Sequence, residues 1–130
     1  MTRPKTILLA DPDNAIVKFV TLSLESEGYR VVTARDGEEA LEKVRQSRPD
    51  LVLLEILLPR RNGYQVCRTL KEDKVLRALP VVFLSAKSQT SDRFWAKRVG
   101  ADGFVAKPFD PAELLREIRG KLRGKQPAHA

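Results

Sequence analysis

Five short apolar runs alternate along the chain with five longer segments that have helical periodicity. The runs predict strands at Thr6–Ala10, Arg30–Ala34, Leu51–Leu54, Val81–Leu84 and Gly103–Ala106. Several of them are continuous Val, Leu and Ile runs, which are typical of parallel strands buried on both faces. Strands that alternate with helices predict right-handed crossovers. We therefore expect an α/β fold in which helices sandwich one doubly wound, five-stranded parallel sheet.

Local signals mark where the helices begin and end. Asp36 with Glu39 three positions later predicts a capping box at the start of the second helix. Pro49 predicts the end of that helix at or before Arg48. Asp110-Pro111 predicts an N-cap followed by a proline at the first helical position, which begins the last helix.

The length of 130 residues fits one domain. We assign residues 5–122 to that domain and residues 123–130 to a polar tail or the start of a linker. No apolar run approaches the roughly 20 residues that a membrane span needs, which argues against membrane insertion. A single cysteine, Cys67, excludes an internal disulfide and predicts a cytoplasmic location.

The formal net charge of +7 raises the question of an anionic partner. Much of the excess lies in the last helix and the tail, at Arg116, Arg119, Lys121, Arg123 and Lys125. Cations at a helix C-terminus are favoured by the helix dipole alone. Solubility and helix-end chemistry are therefore favoured over nucleic-acid binding, and a basic module that contacts nucleic acid stays as an alternative.

Polar side chains follow the strands at the edge of the sheet where their carboxyl ends meet. Ligands of open parallel sheets bind at this edge. A central carboxylate beside a lysine and a hydroxyl, with further carboxylates nearby, suits phosphoryl transfer onto the central carboxylate. The residues in question are Asp11, Pro12, Asp13, Glu55, Ser85, Lys107 and Pro108.

Four segments resemble the successive signature blocks of response-regulator receiver domains, the CheY-like modules of two-component systems. They are "ILLADPDNAI", "PDLVLLEILLPRRNGYQVCRTLK", "LPVVFLSA" and "GADGFVAKPFDPAELL". The resemblance covers about Lys5 to Leu122. It implies the flavodoxin-like α/β fold and a phosphorelay signalling module rather than an enzyme, with a histidine kinase as one partner.

The resemblance also implies roles for single residues. Glu55 stands where the family has its phosphate-accepting Asp, and Asp11 and Asp13 stand in the acidic pocket that holds magnesium. Ser85 and Phe104 match the switch pair. Lys107 matches the phosphate-contacting lysine, and its bond to Pro108 is expected to be cis.

The acidic pocket departs from the family pattern at Pro12, where the family has the acid that binds magnesium directly. Proline offers neither a carboxylate nor an N–H donor. Asp13 follows it, and capping the first helix is favoured over metal binding for this side chain. We therefore expect a degenerate magnesium site and no bound cofactor.

The second departure is Glu55, whose carboxylate reaches roughly 1.5 Å further than that of Asp. A misplacement near 1 Å can cost about a hundredfold in a positioning reaction. Glu55 could pair with Lys107 in the space of a phosphoryl group, or it could be the neutral loss of an unused site. Both interpretations predict that normal phosphorylation is lost.

The fourth helix carries Trp95 among Arg93, Lys97 and Arg98. The family uses the face of helix 4, strand 5 and helix 5 for output, so these residues are candidates for a protein-binding surface; a half-packed tryptophan is the alternative. The segment "SQTSDRFWAKRVGADGF" is also similar to stand-alone regulators of type IV pilus twitching motility.

The sequence thus predicts a pseudo-receiver that docks a protein without phosphorylation. A conventional regulator that accepts phosphate from a histidine kinase is the first alternative. In the loop after Glu55, Gly63 is expected to serve a tight turn.

Overall fold

The computed structural model describes residues 3–124, which form one parallel sheet covered by helices on both faces. The strands are β1 (Thr6–Ala10), β2 (Arg30–Ala34), β3 (Leu51–Leu54), β4 (Val81–Ser85) and β5 (Gly103–Ala106). The helices are α1 (Asn14–Glu25), α2 (Gly37–Ser47), α3 (Gly63–Glu72), α4 (Thr90–Arg98) and α5 (Pro111–Gly124).

The strand order is β2-β1-β3-β4-β5, and every neighbouring pair is parallel. The predicted fold class is confirmed. The predicted strand bounds agree with the structure except at β4, which extends one residue further to include Ser85. The order reverses beside β1, so β1 and β3 are the central strands and their carboxyl ends lie at the switch point where ligands bind in such sheets.

Side chains of the central strands alternate between two cores, one on each face of the sheet. One core joins the sheet to α1 and α5 and includes Leu9, Leu53, Val20 and Ile118. The other joins it to α2, α3 and α4. Burying an aliphatic side chain contributes about 1.5–3 kcal/mol, so these two layers supply the main stabilisation that holds the strand ends in place.

The helix starts follow the local signals, with one correction. The carboxylate of Asp13 accepts hydrogen bonds from the backbone N–H groups of Ala15 and Ile16 and so caps α1. Asp36 caps α2 by accepting from the N–H of Glu39 at 2.8 Å. The reciprocal half of the predicted capping box is wrong, because the Glu39 carboxylate accepts from the N–H of Arg35 instead of that of Asp36.

Gly63 has a different role from the predicted tight turn. It is the first residue of α3, and the left-handed conformation in this loop falls on Arg60, whose φ is 69°. A Cβ on Gly63 would lie 2.4 Å from the backbone oxygen of Glu55. The glycine therefore lets α3 begin directly against the end of β3, where the polar side chains converge.

Two further features complete the fold. The Lys107–Pro108 peptide bond is cis, as the family resemblance implies. Among residues 3–124, none of the helices is long and apolar enough to span a membrane.

Candidate functional site

The backbone ladder of the sheet continues past the strands and holds the site residues in register. The N–H of Glu55 donates to the carbonyl of Ala10 at 3.0 Å. The N–H of Lys107 donates to the carbonyl of Ser85 at 2.9 Å. These bonds place the first residue after β3 and the first residue after β5 on either side of the end of β4.

Lys107 joins two buried carboxylates that the sequence places far apart. Its Nζ atom donates to Oδ2 of Asp11 at 2.6 Å and to Oε1 of Glu55 at 2.8 Å. Asp11 is 1% exposed and Glu55 is 7% exposed. Two buried carboxylates without a cation would repel each other, so Lys107 supplies the charge that makes the cluster stable. The expected Glu55–Lys107 pair is present, and the shared contact with Asp11 is an addition.

The other oxygen of Glu55 has its own donors. Oε2 accepts a hydrogen bond from the hydroxyl of Ser85 and another from the backbone N–H of Leu57, the latter at 3.1 Å. Ser85 is fully buried, and its Oγ also accepts from the N–H of Lys87 at 3.1 Å. Both oxygens of the Glu55 side chain are therefore engaged, by donors from the ends of β3, β4 and β5.

The electrostatics of the cluster favour its charged form. Burial raises the pKa of Glu55, but hydrogen bonds from Lys107, Ser85 and Leu57 outweigh it and hold the pKa below its ordinary value. Burial lowers the pKa of Lys107, but the hydrogen bonds to Asp11 and Glu55 outweigh it and raise the pKa. The pair is therefore ionised across the physiological pH range.

The carboxylate oxygens of the acidic pocket already have hydrogen-bond partners in this arrangement. Oδ2 of Asp11 is bound to Lys107, and Oδ1 accepts from the N–H of Asp13 at 2.9 Å. Pro12 is exposed and has no ligand atom in its side chain, while the carboxylate of Asp13 caps α1. Within the described part of the chain, no three His, Cys, Asp or Glu side chains are arranged to hold a metal. Magnesium favours several carboxylate and water oxygens in an octahedron.

A row of contacting aromatic rings runs from the interior of the sheet to its surface. The rings of Phe83 and Tyr64 have centroids 5.7 Å apart, and those of Phe83 and Phe104 are 6.1 Å apart. The guanidinium of Arg93 on α4 lies 4.6 Å from the centroid of the Phe104 ring. Phe83 is two residues before Ser85 in β4, so this row of rings connects β4, next to Glu55, to α4.

Sequence reasoning missed the side chain that anchors the start of α4. Asp92 is 4% exposed and forms an ion pair with Lys87 at 2.5 Å. Its carboxylate also accepts from the N–H of Gln89, and its carbonyl accepts from the hydroxyl of Tyr64. An acid at the third position of a helix was the available signal. Its burial depends on Tyr64 from another helix, which no local pattern contains.

The α4 surface presents aromatic and basic side chains together. Phe94 and Trp95 are 54% and 53% exposed, and their rings meet edge to face at 5.3 Å. Arg93, Lys97 and Arg98 are exposed around them. The structure thus places the four predicted output residues on one helix, and Phe94 belongs to the same surface.

Two other sequence expectations concern residues away from this site. Cys67 is a buried free thiol, and burial raises its pKa to about 12, so it is an unreactive core residue. Arg123 and Gly124, which the sequence assigns to the tail, are helical and belong to α5, because the helix continues past the predicted boundary. Lys125 and the rest of the predicted tail, residues 125–130, lie outside the described residues.

A five-stranded doubly wound sheet with a lysine, a hydroxyl and carboxylates at its switch point defines a receiver-type signalling module. Residues 7–119 match the family model of the response regulator receiver domain. The chain belongs to this family.

Curated relatives support the assignment. The chain is 39% identical over 119 residues to the alkaline phosphatase synthesis transcriptional regulatory protein PhoP of Bacillus subtilis, covering 92% of this chain and 49% of the relative. It is 42% identical over 122 residues to the DNA-binding response regulator MtrA of Mycolicibacterium smegmatis, covering 94% and 52%. The chain spans about half the length of these relatives.

Solved structures show the same fold. A CheY-like response regulator receiver domain from Methanospirillum hungatei superposes with a TM-score of 0.88 at 28% identity, covering 95% of this chain and 97% of that one. The receiver domain of a sensor histidine kinase from Pseudomonas aeruginosa, with magnesium coordinated in its active-site cleft, gives 0.86 at 29% identity, covering 93% and 99%.

Proposed function

We propose that this chain is a pseudo-receiver: a signalling domain that docks a partner protein without being phosphorylated, with Glu55 as its permanent input. The hydrogen bonding of the Glu55 carboxylate carries the proposal. Its two oxygens accept from Lys107, Ser85 and the N–H of Leu57, so one side chain engages the cation and the hydroxyl of the site together.

In this proposal the cation and the hydroxyl that a phosphoryl group would need are already bound to carboxylates of the chain. An incoming phosphate would have to displace Lys107 from two carboxylates, at 2.6 and 2.8 Å, and the hydroxyl of Ser85 from a third contact. Two carboxylates already share Lys107, so without magnesium the negative charge of a phosphoryl group would add to that of Asp11 and Glu55. Phosphoryl transfer depends on positioning and on charge neutralisation. The groups that would provide them, Lys107 and Ser85, are bound to the carboxylates of Asp11 and Glu55.

The output surface in this proposal is the α4–β5–α5 face. Arg93 lies over the Phe104 ring, which in turn packs on Phe83 in the strand that carries Ser85. Exposed cations around Trp95 favour a partner segment with acidic side chains. We place this role in the cytoplasm, where a free thiol such as Cys67 stays reduced.

The test is incubation with magnesium and acetyl phosphate, read by intact mass, and with beryllofluoride, read by NMR at Ser85 and Phe104. The wild-type chain should gain no phosphoryl mass and show no beryllofluoride-dependent shifts. The matched control is the double variant Pro12→Asp, Glu55→Asp, which regains acids of the family type and should respond. A phosphoryl mass gain on the wild-type chain would refute the proposal.

A second experiment tests Glu55 as the input. Glu55→Ala should change the NMR signals of the Phe104 ring and the Arg93 side chain, because it removes the acceptor that holds Ser85. Glu42→Ala, at an exposed position on α2, is the matched control and should leave those signals unchanged. Unchanged signals in Glu55→Ala would mean that the switch residues do not sense this position.

A conventional phosphorelay regulator is the second candidate, and the relatives favour it, since they are named as transcriptional or DNA-binding regulators. Phosphate transfer from a histidine kinase to this chain would support it. Binding to arbitrary DNA that weakens steeply with salt would instead support the nucleic-acid alternative.

The pathway is a finer proposal. We infer a role in type IV pilus twitching motility from the similarity of residues 88–104, which include the exposed Trp95. Deleting the gene should shrink the twitching zone, and complementation should restore it. Complementation by Trp95→Ala should fail if the α4 face is the output surface.

A further inference from the structure

The outer face of α1 carries an apolar stripe that nothing in the described chain covers. Phe19 is 48% exposed and Leu22 is 59% exposed, and Ala15 lies on the same side, one turn earlier. Phe109, from the loop before α5, widens the stripe, with its ring centroid 6.0 Å from that of Phe19. Clustered exposed apolar side chains mark interaction surfaces more often than single ones do.

The spacing of the stripe fits packing against another helix. Ala15, Phe19, Leu22 and Ser26 follow one another at intervals of four, three and four residues, which is the seam of a two-helix contact. If two α1 helices pack antiparallel about a two-fold axis, Phe19 of each copy meets Leu22 of the other. Small Ala15 meets Ser26 at each end, which lets the helices approach closely.

The charges beside the stripe are complementary to themselves. Lys18 and Glu25 are seven residues apart, so both lie on the same flank of the seam. In the antiparallel arrangement, Lys18 of each copy faces Glu25 of the other, which makes two intermolecular ion pairs. Within residues 3–124, neither side chain forms an ion pair of its own.

The α4 face has the opposite character. Its exposed charges, Arg93, Lys97 and Arg98, all have the same sign, so two copies of that face would repel each other. The apolar stripe on α1 carries one charge of each sign in a self-complementary order. The charges therefore suit the two surfaces to different partners. The α4 face suits an acidic partner, and the α1 face suits a second copy of this chain.

We propose that a second copy of this chain packs on the outer face of α1, antiparallel about a two-fold axis. Two-fold interfaces use the same patch on both subunits, which is what the seam and its flanking charges provide. The inference is independent of the role of Glu55. The two α4 faces stay free, because α1 and α4 cover opposite faces of the sheet. The dimer would bind a partner with two sites more tightly than the monomer would.

The interface is small, so the dimer should be weak. Each copy contributes one 12-residue helix and a few apolar side chains. This places it at the low end of protein interfaces, with a dissociation constant on the order of 100 µM. High salt should weaken it further, because the ion pairs are at the surface.

Sedimentation equilibrium across a concentration range that brackets that value is the test. Phe19→Ser should abolish the dimer, and Phe94→Ser on α4, which has a similar exposure, is the matched control and should leave it intact. Lys18→Glu and Glu25→Lys should each raise the dissociation constant about tenfold, because each acts twice across the axis. The double variant Lys18→Glu, Glu25→Lys should restore wild-type affinity.

Three outcomes would overturn the proposal. The first is a wild-type chain that stays monomeric at every concentration. The second is a dimer that Phe94→Ser disrupts and Phe19→Ser does not. The third is a double charge variant that stays as weak as its parents, which would exclude the antiparallel pairing. If the wild-type chain is monomeric and binds an isolated histidine-kinase dimerisation domain, and Phe19→Ser abolishes that binding, the α1 face binds a kinase instead. Circular dichroism of each variant shows that it is folded.

Discussion

Replacing Lys107 with methionine tests the electrostatics of the site most directly. The substitution keeps most of the aliphatic stem and removes the ammonium that contacts Oδ2 of Asp11 at 2.6 Å and Oε1 of Glu55 at 2.8 Å. These distances put the two carboxylate oxygens at most about 5.4 Å apart. Both groups are nearly inaccessible to solvent, so water cannot replace the missing cation.

The magnitude follows from Coulomb's law. Two unit charges about 5.4 Å apart repel by about 3 kcal/mol at an effective dielectric constant of about 20. Removing one partner of a buried ion pair costs about 3–5 kcal/mol in other proteins. We therefore expect Lys107→Met to lower the free energy of unfolding at pH 7 by about 3 kcal/mol, a large fraction of the stability of a domain of this size.

The pH dependence has a definite sign. In the wild-type chain the pKa of Glu55 is lowered, so its contribution is present above the ordinary pKa and is lost as the pH falls through the folded-state value. In Lys107→Met, Glu55 stays buried beside a second carboxylate and without a cation, which raises its pKa above the ordinary value. The folded variant then binds protons more readily than the unfolded chain, so its stability should rise from pH 7 to pH 5.

Urea unfolding followed by circular dichroism at both pH values measures these quantities. Lys71→Met is the matched control, because Lys71 is also a largely buried lysine but contacts a single carboxylate, Asp102, at 2.8 Å. Lys71→Met should also lower the free energy of unfolding at pH 7, and that free energy should rise less from pH 7 to pH 5 than it does in Lys107→Met. Adding Glu55→Gln to Lys107→Met should recover part of the loss. A Lys107→Met variant within 1 kcal/mol of wild type at pH 7, or without a gain at pH 5, would refute the reasoning (each kcal/mol being roughly a fivefold change in the unfolding equilibrium).

Three further predictions concern other positions. Asp13→Ala should lower the unfolding free energy by about 1 kcal/mol, since it removes the N-cap of α1. A variant that binds magnesium more weakly than the wild-type chain would instead indicate that Asp13 is a metal ligand. Thr21→Val should raise the unfolding free energy by up to about 1 kcal/mol, because the Thr21 hydroxyl is buried and has no hydrogen-bond partner in the described chain; lower stability would reveal an unseen partner. Cys67 should resist a thiol reagent at pH 8 until urea unfolds the chain, since burial raises its pKa to about 12; rapid labelling of the folded chain would contradict this.

The elements of the fold could be predicted because their signals are local. Continuous apolar runs mark strands such as Leu51–Leu54, and the bounds agree with the structure since such runs are buried on both faces. Caps and prolines mark helix ends such as Asp110-Pro111 for the same reason, since a few neighbouring residues decide them. The predicted hydrogen bond from the N–H of Asp36 to the Glu39 side chain was wrong. The flexible Glu39 side chain can reach two adjacent backbone N–H groups, and it accepts from that of Arg35.

The residues of the site were also predictable, but their contacts were not. Parallel strands bring their carboxyl ends to one edge, so the sequence alone determines that Asp11, Glu55, Ser85 and Lys107 gather there. Only the tertiary structure decides that one lysine bridges two carboxylates, across separations of 96 and 52 residues. That choice depends on side-chain rotamers and strand register, which the packing of both cores sets together. No local pattern encodes it, because the partners of each side chain come from other strands.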